Sequence, residues 1–362
     1  MDLMRAKVIN AAGKLTALGG SAQSQSVAET QAVAAQMHFD MDVLRREVAA
    51  EIADYCGAEA ACVTSGAAAG LTIGVAAMLC RHDPALASQL PRLPARQSVV
   101  IQAGHNINFG ADIEQMVHLA GAGTTIAGTI ERVVEADLAT ALDGGPSAML
   151  YVQSHHCIQE NRLTLSRCVE LAEAADVPIM VDAAAEDDLR KYIAMGADLV
   201  TYSGGKAFGG PTSGFIVGRR SLIELCELQF RGIARPMKVS KEQLVGLAQA
   251  IVEYTGRNHD AAFRGWENQN QTLLEAFADS PVYSLELKPD EAGREFSRVA
   301  VMPKAQRFDC HDLVRFLAEG KPSIRTRNHQ VQEQRILIDP RELSDADVDE
   351  VIARLKEFER IQ

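Results

Sequence analysis

Residues 182–214 read DAAAEDDLRKYIAMGADLVTYSGGKAFGGPTSG. An acid, Asp182, follows the apolar run Val177-Pro178-Ile179-Met180-Val181. A lysine, Lys206, lies in the loop Ser203-Gly204-Gly205-Lys206, directly after the next such run, Ala197-Asp198-Leu199-Val200-Thr201-Tyr202. Short apolar runs of this kind read as buried strands. In an open α/β sheet, ligands bind outside the carboxyl ends of the strands. The acid and the amine therefore point toward one rim.

Reading outward, Ala61-Cys62-Val63-Thr64, Val99–Gln102, Thr124–Ala127, Ala148–Val152 and Gly214–Gly218 are further strand candidates. Helical stretches at Ala68–Leu79 and Leu165–Ala175 lie between them. Buried strands separated by helices predict an α/β domain with a largely parallel sheet. The first 60 residues predict an extended lead-in, a glycine loop at Leu18-Gly19-Gly20, a helix from about Ser26, and a second helix after Asp40. That second helix spaces Val43, Leu44, Val48 and Ile52 helically and stops at Gly57. Past Ser221, one helical stretch over Ser240–Asn270 precedes strands at Tyr283–Leu287, Arg298–Val301 and Arg335–Ile338, with helices at Asp309–Ala318 and Asp345–Phe358. This order predicts a small α+β domain. The expected division is 1–58, an N-terminal helical segment; 59–235, the large α/β domain; and 236–362, the small C-terminal domain.

The chain has 362 residues, a formal net charge of -12 and 47% hydrophobic residues. Its length suits two to three domains of about 150 residues each. The acidic balance disfavours nucleic-acid binding. No window nears the roughly 20 apolar residues of a membrane span, and Met1 to Lys7 lead into no signal core, so a cytoplasmic protein is expected. The seven cysteines form no CxxC pair and read as buried free thiols. The adjacent His155-His156 lack ligands at metal spacing, so no metal site is expected.

A lysine amine forms a Schiff base with a carbonyl compound. Pyridoxal phosphate needs such a lysine and a carboxylate for its pyridinium nitrogen. Lys206 and Asp182 supply both types of group. Ser65-Gly66-Ala67, between a strand and a helix, offers small residues and free amides to a phosphate; Ser203 and the Gly204-Gly205 backbone offer more. His105, two residues beyond a strand, is a candidate to stack on the ring. The GxxxxGK[ST] and GxGxxG spacings are absent, which argues against a P-loop or a dinucleotide fold.

Several motifs carry a family resemblance: Asn10-Ala11-Ala12-Gly13-Lys14-Leu15-Thr16 with Leu18-Gly19-Gly20, Val63–Gly70, Val181–Glu186, Ser203–Lys206, and Gly232–Val239. On these the chain resembles the fold-type I pyridoxal-phosphate enzymes of the selenocysteine synthase-like group, and within it the D-glucosaminate-6-phosphate ammonia lyase branch. The resemblance implies a transferase-like fold with a mostly parallel seven-stranded sheet, pyridoxal 5'-phosphate as cofactor, and a homodimer or larger assembly. It also implies site roles. Lys206 carries the cofactor and then shuttles a proton. Asp182 pairs with the ring nitrogen. Ser65, Gly66, Ala67 and Ser203 bind the phosphate. His105 lies over the ring and Ala184 beneath it, and Gln153 approaches the ring hydroxyl. Arg325 binds the substrate carboxylate, with Arg327 as its rival. Two loops depart from the branch. Gln102–Gly110 lacks its Arg-Gly-His-Arg type run, and Ala207–Thr212 lacks its Leu-Arg-Gly-Pro-Gln type run. An arginine for a substrate phosphate is thus not found at either position. Selenocysteine synthesis on tRNA is not expected, because the chain is acidic and shows no basic N-terminal domain.

The expected reaction is a β-eliminating lyase acting on a hydroxylated amino acid, such as an amino sugar acid, giving a 2-keto acid and ammonia. The alternatives are a racemase or epimerase, an aldolase, and a cofactor-binding protein without turnover. Asp40, Asp42, His155, His156 and Arg162 are further candidates to line the substrate pocket.

Overall fold

The structure, a computed structural model, describes residues 7–154, 156–158, 160–291 and 293–362. In chain order the strands are β1 (Val8–Ala11), β2 (Ala60–Thr64), β3 (Ser98–Gln102), β4 (Gly123–Ala127), β5 (Ala148–Val152), β6 (Ile179–Asp182), β7 (Leu199–Ser203), β8 (Gly214–Gly218), β9 (Tyr283–Pro289), β10 (Ser297–Pro303), β11 (Ser323–Thr326) and β12 (Ile336–Ile338). The helices are α1 (Gln25–Ala35), α2 (Met41–Cys56), α3 (Ala67–Leu79), α4 (Ile113–Ala120), α5 (Glu135–Asp143), α6 (Leu165–Ala174), α7 (Lys191–Ala194), α8 (Arg220–Leu228), α9 (Lys241–Thr255), α10 (His259–Ala276), α11 (Cys310–Glu319) and α12 (Asp345–Glu359).

The chain forms two compact units, one of residues 23–256 and one of residues 1–22 with 257–362. In the first, seven strands join in the order β2-β8-β7-β6-β5-β3-β4. β8 runs antiparallel to β2 and β7, and the other neighbouring pairs are parallel. Both faces are apolar, which is why these strands read as continuous runs. Alternate residues serve alternate layers. Val100, Met149, Val181, Val200 and Phe215 pack with α2, α5, α6 and α9. Val99, Ile101, Leu150, Met180, Leu199 and Ile216 pack with α3, α4 and α8.

The second unit holds the antiparallel sheet β12-β10-β9 and the parallel pair β1-β11. At its centre lies Arg298, 1% exposed. It bonds Asp339 through Nε (2.8 Å) and Asp290 through Nη1 (2.7 Å). Arg294 and Arg341 complete the network. Burial alone would raise the Asp290 carboxyl, but the two guanidinium groups beside it hold it down at about 2.

The two compact units divide the chain after Ala22 and after Gly256, where the sequence suggested 58/59 and 235/236. The lead-in belongs with the C-terminal half because β1 pairs with β11, more than 300 residues away in sequence. The single helix expected over Ser240–Asn270 is two. Gly256 ends α9, and the Asn258 side chain accepts from Ala261 N–H to start α10.

Candidate active site

The site is built at the carboxyl rim of the seven-stranded sheet. Gly70 and Gly74 sit one turn apart on α3. A Cβ on the first would stand 2.2 Å from Thr201 Oγ1, and on the second 2.5 Å from Met180 Sδ. These glycines let α3 lie directly on β6 and β7, on the face toward which Asp182 and Ser203 alternate. The Thr64 hydroxyl donates to the Gly66 carbonyl and bends the chain into α3. Gly66 caps the helix without a side chain, so the amides of Ala67, Ala68 and Ala69 are left to an external acceptor. Gly214, paired with Ser203 in the β7–β8 register, closes on this turn. A Cβ there would lie 2.6 Å from Gly66 C and 2.8 Å from Ala67 N.

Asp182 ends β6, 7% exposed. It caps no helix. Its Oδ1 accepts the Ala184 amide at 3.0 Å in a tight local turn. Burial pushes its carboxyl up to about 6, against the Ala184 bond and the nearby positive charge of Lys206. Lys206 lies in a turn closed by Gly210 N–H to Gly204 O (2.8 Å) and Gly204 N–H to Ser213 O (2.9 Å). Gln153 N–H donates to Asp182 O at 2.9 Å, which fixes the end of β5 against β6.

His105 is fully buried, and its Nδ1 accepts the Val152 amide at 3.3 Å. That bond fixes the orientation of the ring against the end of β5. Tyr151 meets the ring edge-on at 4.5 Å. Beside it, the Arg162 guanidinium packs on Gly104, where a Cβ would stand 2.2 Å from Nε.

The structure thus brings together Ser65, Gly66, Ala67, His105, Gln153, Asp182, Ala184, Ser203 and Lys206 in the first unit. Arg325 and Arg327 belong to the second. Arg325 is exposed on β11, opposite Asn10 in the β1 register. Arg327 is buried, with Nη2 3.8 Å from Glu291, and burial first, then Arg298, pulls its guanidinium down to about 10. Asp40 accepts the amides of Asp42 and Val43 and is the cap of α2, which accounts for its presence. Asp42 stands in that helix's first turn. The His156 amide donates to Ser154 Oγ. His155 lies outside the described residues.

One feature escaped the sequence. A face of α9 runs along the lysine loop: Gln243 donates to Thr212 O, Gly246 meets Pro211, Leu247 meets Gly204, Ala250 meets Gly210, and Tyr254 meets Phe208. The signal available was a glycine, Gly246, inside a helix and in step with these positions.

These groups fit pyridoxal phosphate. A buried carboxyl lifted by desolvation is suited to a cation such as a protonated ring nitrogen. The side-chain-free turn at Gly66 and Gly214 suits a phosphate, and the Lys206 amine is near enough to Asp182 for its charge to act on that carboxyl. Among the described residues no His, Cys, Asp or Glu group could hold a metal, and no helix is long and apolar enough to cross a membrane.

Comparison with known proteins agrees. The L-seryl-tRNA selenium transferase family profile matches residues 8–263. The chain is 36% identical over 355 residues to a D-glucosaminate-6-phosphate ammonia lyase from Salmonella typhimurium (strain 14028s / SGSC 2262), covering 97% of this chain and 95% of that one. It is 37% identical over 359 residues to a 5'-C-glycyluridine monooxygenase-decarboxylase from Streptomyces sp, covering 97% and 89%. A solved D-glucosaminate-6-phosphate ammonia-lyase structure superposes with a TM-score of 0.88 at 37% identity, covering 98% of this chain and 96% of that one. The chain belongs to the L-seryl-tRNA selenium transferase family, and it is a pyridoxal-phosphate-dependent enzyme of fold type I.

Proposed function

We propose that the protein is a lyase that removes the Cα proton of a hydroxylated amino acid of the amino sugar acid kind and eliminates its β-substituent. The products are a 2-keto acid and ammonia. The observation that carries this reading is the pairing of Lys206 with the buried Asp182 on adjoining strand ends, in a chain 36% identical to an ammonia lyase.

Pyridoxal phosphate, when bound, supplies an electron-accepting ring that makes the substrate Cα–H bond acidic. The chain's own groups do the rest. Lys206 Nζ carries the cofactor, then takes the Cα proton. Asp182 Oδ2 holds the ring nitrogen's proton, and a cation there keeps this carboxylate ionised near neutral pH. The Ala67, Ala68 and Ala69 amides, with Ser65 and Ser203, bind the phosphate dianion at the positive end of α3. His105 and Ala184 would flank the cofactor ring, and Gln153 would lie toward its hydroxyl. Arg325 binds the substrate carboxylate as a bidentate fork, in preference to Arg327, whose guanidinium is buried beside Glu291. The seven free thiols suit a cytoplasmic protein, and the family resemblance supports a homodimer.

A second reading rests on the Streptomyces relative. In that reading the amino acid RCH(NH2)COOH and one dioxygen would give the carboxamide RCONH2, carbon dioxide and water, with one oxygen atom of dioxygen entering the amide and the other leaving as water. One assay separates the two. The loaded enzyme is given D- and L-hydroxyamino acids, phosphorylated and not, while ammonia, keto acid, oxygen and carbon dioxide are followed. Ammonia and keto acid in equal amounts, without oxygen uptake, support the lyase. Oxygen uptake matched by carbon dioxide supports the second reading. Inverted substrate without either would mean a racemase and contradict both.

A further inference from the structure

Three tyrosine hydroxyls fasten three consecutive residues of the loop that follows Asp182. Tyr192 donates to Glu186 Oε2 at 2.8 Å, Tyr254 to Asp187 O at 2.7 Å, and Tyr202 to Asp188 O at 2.9 Å. They come from α7, α9 and β7. Two of them also belong to a ring cluster that holds the other half of the site. Phe208, two residues after Lys206, meets Tyr254 edge-on at 4.9 Å and Tyr202 at 6.0 Å. Phe215 of β8 stacks on Tyr202 at 5.2 Å and lies 5.6 Å from Phe208.

Tyr254 is the member that reaches both loops from outside the sheet. Its ring packs on the lysine loop and its hydroxyl bonds the acid loop. It stands at the end of the α9 face that grips Thr212, Pro211, Gly204 and Gly210. α9 is itself held by α1: Lys241 Nζ donates to Ala35 O at 3.1 Å, and Gln31 packs on Gly246. Rigid loops at a fixed separation are what a lysine and a carboxylate need in order to serve one ring.

We propose that Tyr254 is a positioning residue: it ties the Lys206 loop to the Asp182 loop and so sets how the two groups meet the cofactor. This rests on the cofactor roles assigned to those residues above. The test compares wild type, Tyr254→Phe and Phe208→Leu. The readouts are the affinity of the full-length apoprotein for pyridoxal phosphate, the pH titration of the loaded enzyme's visible absorbance, and the melting temperature of the apoprotein. Tyr254→Phe keeps the ring and removes the hydroxyl that bonds Asp187 O. It should weaken cofactor binding about three- to tenfold, as one net hydrogen bond would, and displace the titration midpoint, with the apoprotein's melting temperature lowered by no more than about 4 °C. Phe208→Leu should also weaken cofactor binding and displace the midpoint, while lowering the melting temperature as well, because Phe208 is buried in the core. Wild-type affinity and titration in Tyr254→Phe overturn the proposal. So does a loss of affinity that only tracks a loss of melting temperature. If wild type takes up no pyridoxal phosphate, the functional reading itself has failed, and the proposal falls with it.

Discussion

A Cβ at residue 214 would stand 2.8 Å from the amide nitrogen of Ala67, so the first residue of β8 and the first turn of α3 are in contact through a position that only glycine can fill. Gly214→Ala must therefore push the helix terminus away from Ser203. Because the proposed phosphate site is that terminus, we expect the variant to lose about tenfold or more in affinity for pyridoxal phosphate, equivalent to about 1.4 kcal/mol. Titration of the apoprotein checks this, with pyridoxal lacking the phosphate as the control, since its binding should change far less.

Asp182 makes a prediction about pH. Its carboxyl is raised from 3.8 to about 6 in the folded chain, chiefly by burial. A raised carboxyl stabilises the fold fully below its unfolded value, and that contribution is lost as pH rises through about 6. The apoprotein should therefore lose about 2 kcal/mol, relative to Asp182→Asn, between about pH 4 and pH 7. Urea unfolding of both proteins across this range measures it. Parallel stability profiles would show that the group is not so buried.

Gly104 and Arg162 form a second close pair beside His105. A side chain at Gly104 would meet the Arg162 guanidinium at 2.2 Å. Gly104→Ala should disturb the His105 turn and lower kcat/KM about tenfold, a coupling of the size seen between residues in contact. Arg162→Ala, added to it, should restore part of the loss. Equal losses in the single and double variants would show that the two residues act separately.

In the second unit, Arg298 is the fully buried hub between Asp290 and Asp339. Arg298→Met would leave two carboxylates without their shared cation, at an expected loss of about 3–5 kcal/mol. The sign with pH also follows. A carboxyl held at about 2 contributes stability above its usual value of 3.8, and loses it as pH falls through about 2. Removing Arg298 should move the acid unfolding midpoint upward. Chemical denaturation and an acid titration by circular dichroism test both statements.

What the sequence disclosed was set by locality. Strands β5 and β8 were legible to the residue because buried runs such as Ala148–Val152 are flanked by turns. The lysine and the acid were legible because each follows such a run directly. Helices α4, α5 and α8 were not read, since each is short and amphipathic and borrows its stability from the sheet it covers. The attachment of β1 to β11 depends on a pairing across more than 300 residues, which no local pattern carries. The grip of α9 on the lysine loop was hidden for the same reason: Tyr254 and Phe208 are 46 positions apart and meet only in the fold.

The central claim is that Lys206 is the residue that carries the cofactor. Wild type and Lys206→Ala should be loaded with pyridoxal phosphate, treated with borohydride, digested, and the peptides weighed. The account predicts a stable pyridoxyl-phosphate adduct on the peptide containing Lys206 in wild type, and loss of that adduct and of the visible absorbance band in the variant. An unmodified Lys206 peptide, or an adduct on another lysine with the band intact in the variant, would contradict it.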